Sequence, residues 1–330
     1  SVLYNNNPPP SGSFTFGPAY NGTVFIIDKN RLYFCKAKRP EAWPSTYYIE
    51  VGNRQEPGVM GLFHNGQPYY LTLNQIFYIQ GTGQGTFSPA PMKARCGVQS
   101  AQGAVSVGGH GIFHTGPDGI YLWSNGTDRN ITEETLGPIF NGETRNGIPA
   151  VADMSKTWLY HYKSYLYFGY PGVSDNQASN VLRFNLNSQK VSYFDYGTIN
   201  IQSITTDDTN QRIIAGDTNG WLRVIDDISA TNDELNASTT AEINWETQSK
   251  DYTLPTRAHF PRFVKYDVAL GSNAADVTGE LILDDVVHQT HSITESRQTK
   301  RRLVGTGNGS RAAIRIKGTG DATIYSAEFE

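Results

Sequence analysis

The groups able to do chemistry are thinly spread along this chain. Its imidazoles and thiols amount to His64, His110, His114, His161, His259, His288 and His291, with Cys35 and Cys96. His110 and His114 come nearest to a metal spacing. Ligands four residues apart converge only on a helix, and Gly108-Gly109 with Gly111 rules a helix out there. On a strand the two would share a face about two pleats apart, so they read as ordinary strand and loop histidines. Gly81-Thr82-Gly83-Gln84-Gly85 could turn backbone N–H groups toward a phosphate, but no helix follows to lend its N-terminus. It reads as a loop between strands. Asp207-Asp208-Thr209-Asn210 offers carboxylates to calcium without the glycine and distal glutamate of an EF-hand loop, and reads as a solvated turn.

No G-x-S-x-G elbow, H-E-x-x-H pair, P-loop or paired-cysteine zinc pattern occurs. The expectation is a protein that is not an enzyme, with no cofactor and no metal. Two cysteines are too few for a disulfide framework and read as small buried residues. Asn-x-Ser/Thr triplets begin at Asn21, Asn125, Asn130, Asn236 and Asn308, as an Asn-rich chain contains by chance, and no secretory signal accompanies them. Tyr160, Tyr162, Tyr165, Tyr167 and Tyr170, with Trp158 and Phe168, form a dense aromatic run. Such rings could make a sugar platform or a partner surface, but inter-sheet packing is the plainer use, with Tyr162 and Tyr170 expected on an exposed rim.

Charge is the remaining signal. The net charge of −4 argues against non-specific nucleic-acid binding by the whole chain. Locally it is uneven. Between Asp207 and Glu234 seven acids, Asp226, Asp227 and Asp233 among them, meet two bases. Between Arg297 and Lys317 stand seven bases and no acid, including Lys300, Arg301, Arg302 and Arg315. Complementary blocks of this kind suit contacts between subunits of a ring. No window of eighteen apolar residues exists, so the chain is expected to be soluble, without membrane insertion. It opens on Ser1 without a Met, which reads as a processed chain or a piece of a longer one.

Strands must position whatever these residues do. Aromatics make up 12% of the 330 residues, with 19 Tyr and 15 Phe against 3 Met, and with 33 Gly and 16 Pro to turn the chain. A repeat is visible. Asn30-Arg31-Leu32-Tyr33-Phe34 returns as Asn74-Gln75-Ile76-Phe77-Tyr78 and Asp118-Gly119-Ile120-Tyr121-Leu122, at offsets of 44 and 44 residues. Looser copies are Asn180-Val181-Leu182-Arg183-Phe184 and Asn219-Gly220-Trp221-Leu222-Arg223, 62 and 39 residues further on. Each copy is a turn residue and an apolar strand, preceded by another strand-like run. Leu32, Ile76, Ile120 and Trp221 are expected at equivalent inward positions.

A period of about 40–50 residues with several strands per unit is the signature of a β-propeller. The reading is an all-β chain in three parts: a Pro/Gly/Ser-rich lead-in over residues 1–18, a propeller of five to six blades over 19–238, and an antiparallel β unit over 239–330. The last part shows alternating strands such as Ala313-Ile314-Arg315-Ile316-Lys317, and is a sandwich-like unit or a sheet closing the ring. One short helix is expected at Thr132-Glu133-Glu134-Thr135-Leu136, capped by Thr132 and stopped by Gly137-Pro138.

Asn30 to Cys35 followed by Arg39-Pro40-Glu41-Ala42-Trp43-Pro44 resembles an N-R-L-W/Y-F-S strand and N-P-x-x-W-P loop of tail proteins of tailed bacteriophages. Pro117 to Trp123, Asn125-Gly126-Thr127 and Ile131-Thr132 are similar to a blade of the same proteins, and Trp245-Glu246-Thr247, Lys250-Asp251-Tyr252 and Lys300-Arg301-Arg302 to further stretches. Cys35 and Arg39 stand where the pattern has Ser and Asn. The resemblance implies a virion protein of the tail nozzle, hub or stabilisation type. Such a protein is made in the host cytoplasm, forms a homo-oligomeric ring with adaptor and fibre proteins as partners, and sees DNA only as passing cargo. It implies no catalytic residues. The alternative is an extracellular or cell-surface propeller that binds or cleaves glycans, although the repeated S-x-D-x-G-x-T-W boxes of sialidase-like propellers are missing.

Overall fold

A computed structural model describes residues 8–9, 14–145, 147–173, 178–197, 199–225, 232–236, 239–242, 244–249, 252–253, 263–271, 274–294, 299–302, 311–319 and 322–329. The first sheet is an antiparallel meander of β1 (Phe14–Tyr20), β2 (Thr23–Asp28), β3 (Arg31–Phe34) and β4 (Tyr48–Glu50). The second has β5 (Gly58–His64), β6 (Gln67–Thr72), β7 (Ile76–Gln80) and β8 (Ser88–Pro91). In the third stand β9 (Ala104–Val107), β10 (Gly111–Gly116), β11 (Gly119–Ser124) and β12 (Thr127–Asn130). Helix α1 (Glu133–Phe140) precedes the fourth, made of β13 (Trp158–Tyr162), β14 (Tyr165–Tyr170), β15 (Asn180–Asn185) and β16 (Val191–Asp195). The fifth is three-stranded, with β17 (Ile201–Asp207), β18 (Arg212–Asp217) and β19 (Leu222–Ile225), and a hairpin of β20 (Asn232–Asn236) and β21 (Thr239–Glu242) follows.

These sheets are propeller blades because of where their cores lie. The first strands run side by side, β1 against β5, β5 against β9 and β9 against β13. Four apolar clusters then fill the wedges between successive sheets. Phe25, Ile27 and Leu32 of the first meet Tyr70, Phe77 and Ile79 of the second. Leu62, Leu71 and Ile76 meet Ala104 and Ile112; Phe113 and Ile120 meet Leu159 and Phe168; Tyr167 and Val181 meet Ile213 and Ala215. A blade packed on both faces needs apolar residues at successive positions of its inner strands, and β10 buries all six of its residues. The outermost strands carry the polar, half-exposed pattern, as β8 does.

The five segments of the sequence repeat are the third strands β3, β7, β11, β15 and β19. Leu32, Ile76 and Ile120 are each 0% exposed. Trp221 departs from them at 50% exposure, because it precedes β19 instead of lying within it. The long interval before the fourth copy holds α1. That helix also corrects the sequence reading: it continues through Gly137 and Pro138 to Phe140, and Thr132 makes no side-chain cap. Burial of Leu136 and Ile139 in the wedge between blades three and four sustains it despite the proline. The Thr132 hydroxyl instead accepts the Ile120 N–H (3.0 Å) and donates to Asn130 Oδ1 (2.8 Å). Residues 14–18, read as lead-in, belong to β1.

The C-terminal part has β22 (Asn244–Gln248), β23 (Tyr252–Thr253), β24 (Phe263–Leu270), β25 (Ala275–Leu283), β26 (Val286–Ser292), β27 (Thr299–Arg302), β28 (Arg311–Thr319) and β29 (Ala322–Phe329). One sheet has the order β22-β28-β25-β26, with β23 also on β28, and the other the order β27-β24-β29. Val264, Tyr266 and Val268 of the second sheet pack on Leu281, Ile314 and Ile316 of the first, so the unit is an antiparallel sandwich. It touches the propeller at blade four, β22 against β16.

Candidate functional site

His110 and His114 do not converge. His110 is exposed in the turn before β10, whereas His114 is buried within that strand. His114 Nδ1 faces Gly97 O at 2.8 Å and Nε2 faces Asp128 Oδ1 at 3.1 Å. Asp128 Oδ2 accepts the Arg95 N–H at 2.7 Å, and the imidazole stacks on Tyr121 with centroids 5.5 Å apart. Nearby Cys96 is a free, buried thiol pushed up to about 12 by burial and by the charges of Asp128 and Asp118. The network saturates the polar atoms of His114 and Asp128 with protein partners, as a buried polar pair requires. Among the described residues no group of three or more His, Cys, Asp or Glu could hold a metal ion.

The glycine loop and the aspartate run are both closed by their own side chains. Thr86 Oγ1 accepts the N–H groups of Thr82 and Gly83, each at 3.1 Å, so these two donors of the loop between β7 and β8 are spent internally. Asp207 accepts from Asn210 and from Arg212 Nε (3.0 Å), and its carboxyl is held below the usual range, by the Asn210 side chain first.

The residues expected at a subunit boundary divide. Arg297, Asp226 and Asp227 lie outside the described residues, as do the side chains of Asp233, Lys300, Arg301 and Arg302. Arg315 and Lys317 pair within the chain. Glu280 receives Arg315 Nε at 2.7 Å, a second bond from Arg315 Nη2 and Lys317 Nζ at 2.6 Å. Burial opposes the Glu280 carboxylate, but the bonds from Lys317 and Arg315 outweigh it and lower the pKa. Arg315 also reaches Glu246 Oε1 at 3.5 Å, beside Gly147 of the propeller, where an added Cβ would stand 3.3 Å from that oxygen. Tyr162 is half-buried under Lys163 Nζ, 4.9 Å from its ring centroid. Tyr170 is not on a rim: it is fully buried, stacked on Phe168 at 5.2 Å, with its hydroxyl donating to Pro149 O. Packing against α1 and the neighbouring blade accounts for it.

Two surface features stand out that the sequence did not mark. On β19 and its approach, Trp221, Leu222 and Val224 are exposed, Leu222 at 78%, along the edge of the three-stranded blade. At the tips of blades two and three a groove of about 320 Å³ is lined by His64, Asn65, Tyr69, His110, Trp123 and Asn125. Asn-Gly pairs shape the turns around it, with positive φ at Asn65 (49°) and Gly66 (74°) and at Asn125 (51°) and Gly126 (78°).

Comparison with known proteins adds little to this geometry. No protein family and no curated protein matches the chain. Among solved structures, dihydro-heme d1 dehydrogenase NirN is similar at 9% identity and a TM-score of 0.43, over 87% of this chain and 59% of NirN. The chain thus spans less than two thirds of that protein, and a likeness so distant says nothing about activity. No helix among the described residues is long and apolar enough to cross a membrane.

Proposed function

We propose that the protein is a structural component of a phage tail, a nozzle- or hub-type subunit that works through contacts with copies of itself and with neighbouring tail proteins. The observation that carries this reading is the apolar edge at Trp221, Leu222 and Val224. An open strand edge bearing large exposed apolar side chains is a template for another chain and a liability if left bare. The motifs of the tail-protein resemblance support it as parts of blades. Trp43 is buried with Cys35 and Ile26, and its Nε1 donates to Pro40 O at 2.7 Å. Cys35 Sγ accepts the Val24 N–H at 3.1 Å, a bond that the usual serine hydroxyl would also accept, so the replacement keeps the contact.

Light scattering on the size-separated full chain, with negative-stain imaging, tests the proposal. We expect a ring-sized oligomer that Leu222→Lys with Val224→Lys reduces to folded monomers. A wild-type monomer at all concentrations, or a double variant that assembles as the wild type does, overturns it.

A further inference from the structure

The groove between the tips of blades two and three carries an inference independent of the virion reading. We propose that it binds a neutral saccharide through one pyranose ring. Trp123 is half-buried, and its ring lies 6.4 Å from Tyr69 at an interplanar angle of 55°. Tyr69, itself buried, is backed edge-on by His64 at 6.2 Å. Two rings that touch at a steep tilt leave no parallel slot for a planar base. They do offer an apolar face against which the C–H face of a sugar packs.

The polar groups around that face are neutral and held in place. His64 Nε2 stands 3.1 Å from Asn65 Nδ2 and Nδ1 stands 2.9 Å from Ser106 Oγ. Asn65 Nδ2 can only donate, so Nε2 accepts and the ring hydrogen sits on Nδ1, toward Ser106. The imidazole is thereby neutral, in keeping with burial lowering its pKa. The same bond fixes the Asn65 amide and leaves its Oδ1 as an acceptor. Asn125, exposed at the tip of the next blade, supplies a second amide with a donor and an acceptor. No carboxylate, lysine or arginine lines the groove, and a Cβ at Gly109 would meet nothing within 4 Å, which keeps the mouth open. Trp123 Nε1 is buried and has no acceptor among the described residues, so the indole meets the groove as an apolar surface. An aromatic platform with fixed neutral amides and no formal charge selects hydroxyl-bearing, uncharged ligands over ions.

Saturation-transfer NMR on the full chain tests this, with the methyl glycosides of glucose, galactose, mannose and N-acetylglucosamine as probes and adenosine as the planar competitor. At least one pyranoside should give saturable transfer. Asn65→Gly and Asn125→Gly keep the positive-φ turns while removing the amides, and each should weaken binding roughly tenfold. Trp123→Ala should abolish it. Should Trp123→Ala not fold, the two asparagine variants still decide. The proposal is overturned if no pyranoside saturates, if binding survives both asparagine changes undiminished, or if adenosine binds in preference.

Discussion

Asp128→Ala is the sharpest test of how blade three is held together. The substitution strips the partner from the Arg95 N–H and from His114 Nε2, in a place where the His114 and Asp128 side chains are 0% and 1% exposed. Leaving a buried polar group without its partner costs about 1–3 kcal/mol. Since two such groups lose their partner together, we expect a loss of about 2–6 kcal/mol. At about 2–4 °C per kcal/mol for a unit the size of the β1–β19 array, the melting midpoint should fall by roughly 4–24 °C. Asp128→Asn keeps one oxygen but turns an NH2 toward one of the two donors, and should fall between wild type and Ala. Urea titration followed by near-ultraviolet circular dichroism gives the free energies, and His114→Gln closes a double-mutant cycle. A loss under about 1 kcal/mol, or losses that simply add across the cycle, would refute the idea that this pair is a coupled buried unit.

Ile76→Asp should leave no cooperatively folded protein, since Ile76 is 0% exposed between blades two and three and an unpaired buried carboxylate costs on the order of several kcal/mol; a normal melt would contradict the wedge packing. Cys96 should resist thiol reagents until the protein unfolds, and stability should decline in alkali. Its folded pKa rises from 9.0 to about 12, so the folded state retains a proton that the unfolded state releases, and the contribution present below pH 9 is lost as pH climbs toward 12. Hydroxide titration of the wild type against Cys96→Ala reads this difference, and equal alkaline profiles would refute it.

The blades were legible because a turn residue followed by an apolar strand recurs once per meander, and it marks the third strand in every case. Trp221 broke the pattern because its position relative to the turn matches the other copies while the strand begins one residue later, at Leu222; sequence carries the spacing and not the strand boundary. The Gly-Pro stop was misread for a similar reason. Pro138 removes one helical donor, but Leu136 and Ile139 share a face that the wedge buries, and that outweighs the lost bond. A signal for the His114 pair did exist: a histidine that follows Ile112 and Phe113 in a strand with no charged residue needs a partner. Asp128 could not be singled out, because the contact depends on how β12 and the segment at Arg95–Gly97 meet around β10. The groove was invisible for a related reason, as its walls come from hairpin tips of two blades whose relative height no local pattern encodes. Asn65-Gly66 and Asn125-Gly126 were readable as turns, though not as neighbours.

The attachment of the C-terminal sandwich has a mechanical consequence. Its strand β22 lies on β16, and Glu246 and Arg315 stand beside Gly147 in the segment that leads into blade four. A pull on the sandwich therefore enters the propeller through its fourth blade, one blade before the place where the chain leaves it. Load taken there spreads through the Tyr167–Val181 wedge into the fifth blade and through the α1 wedge into the third. Ile225 of β19 belongs to that same Tyr167–Val181 cluster, so the exposed edge formed by Leu222 and Val224 lies at the far end of the load path rather than outside it.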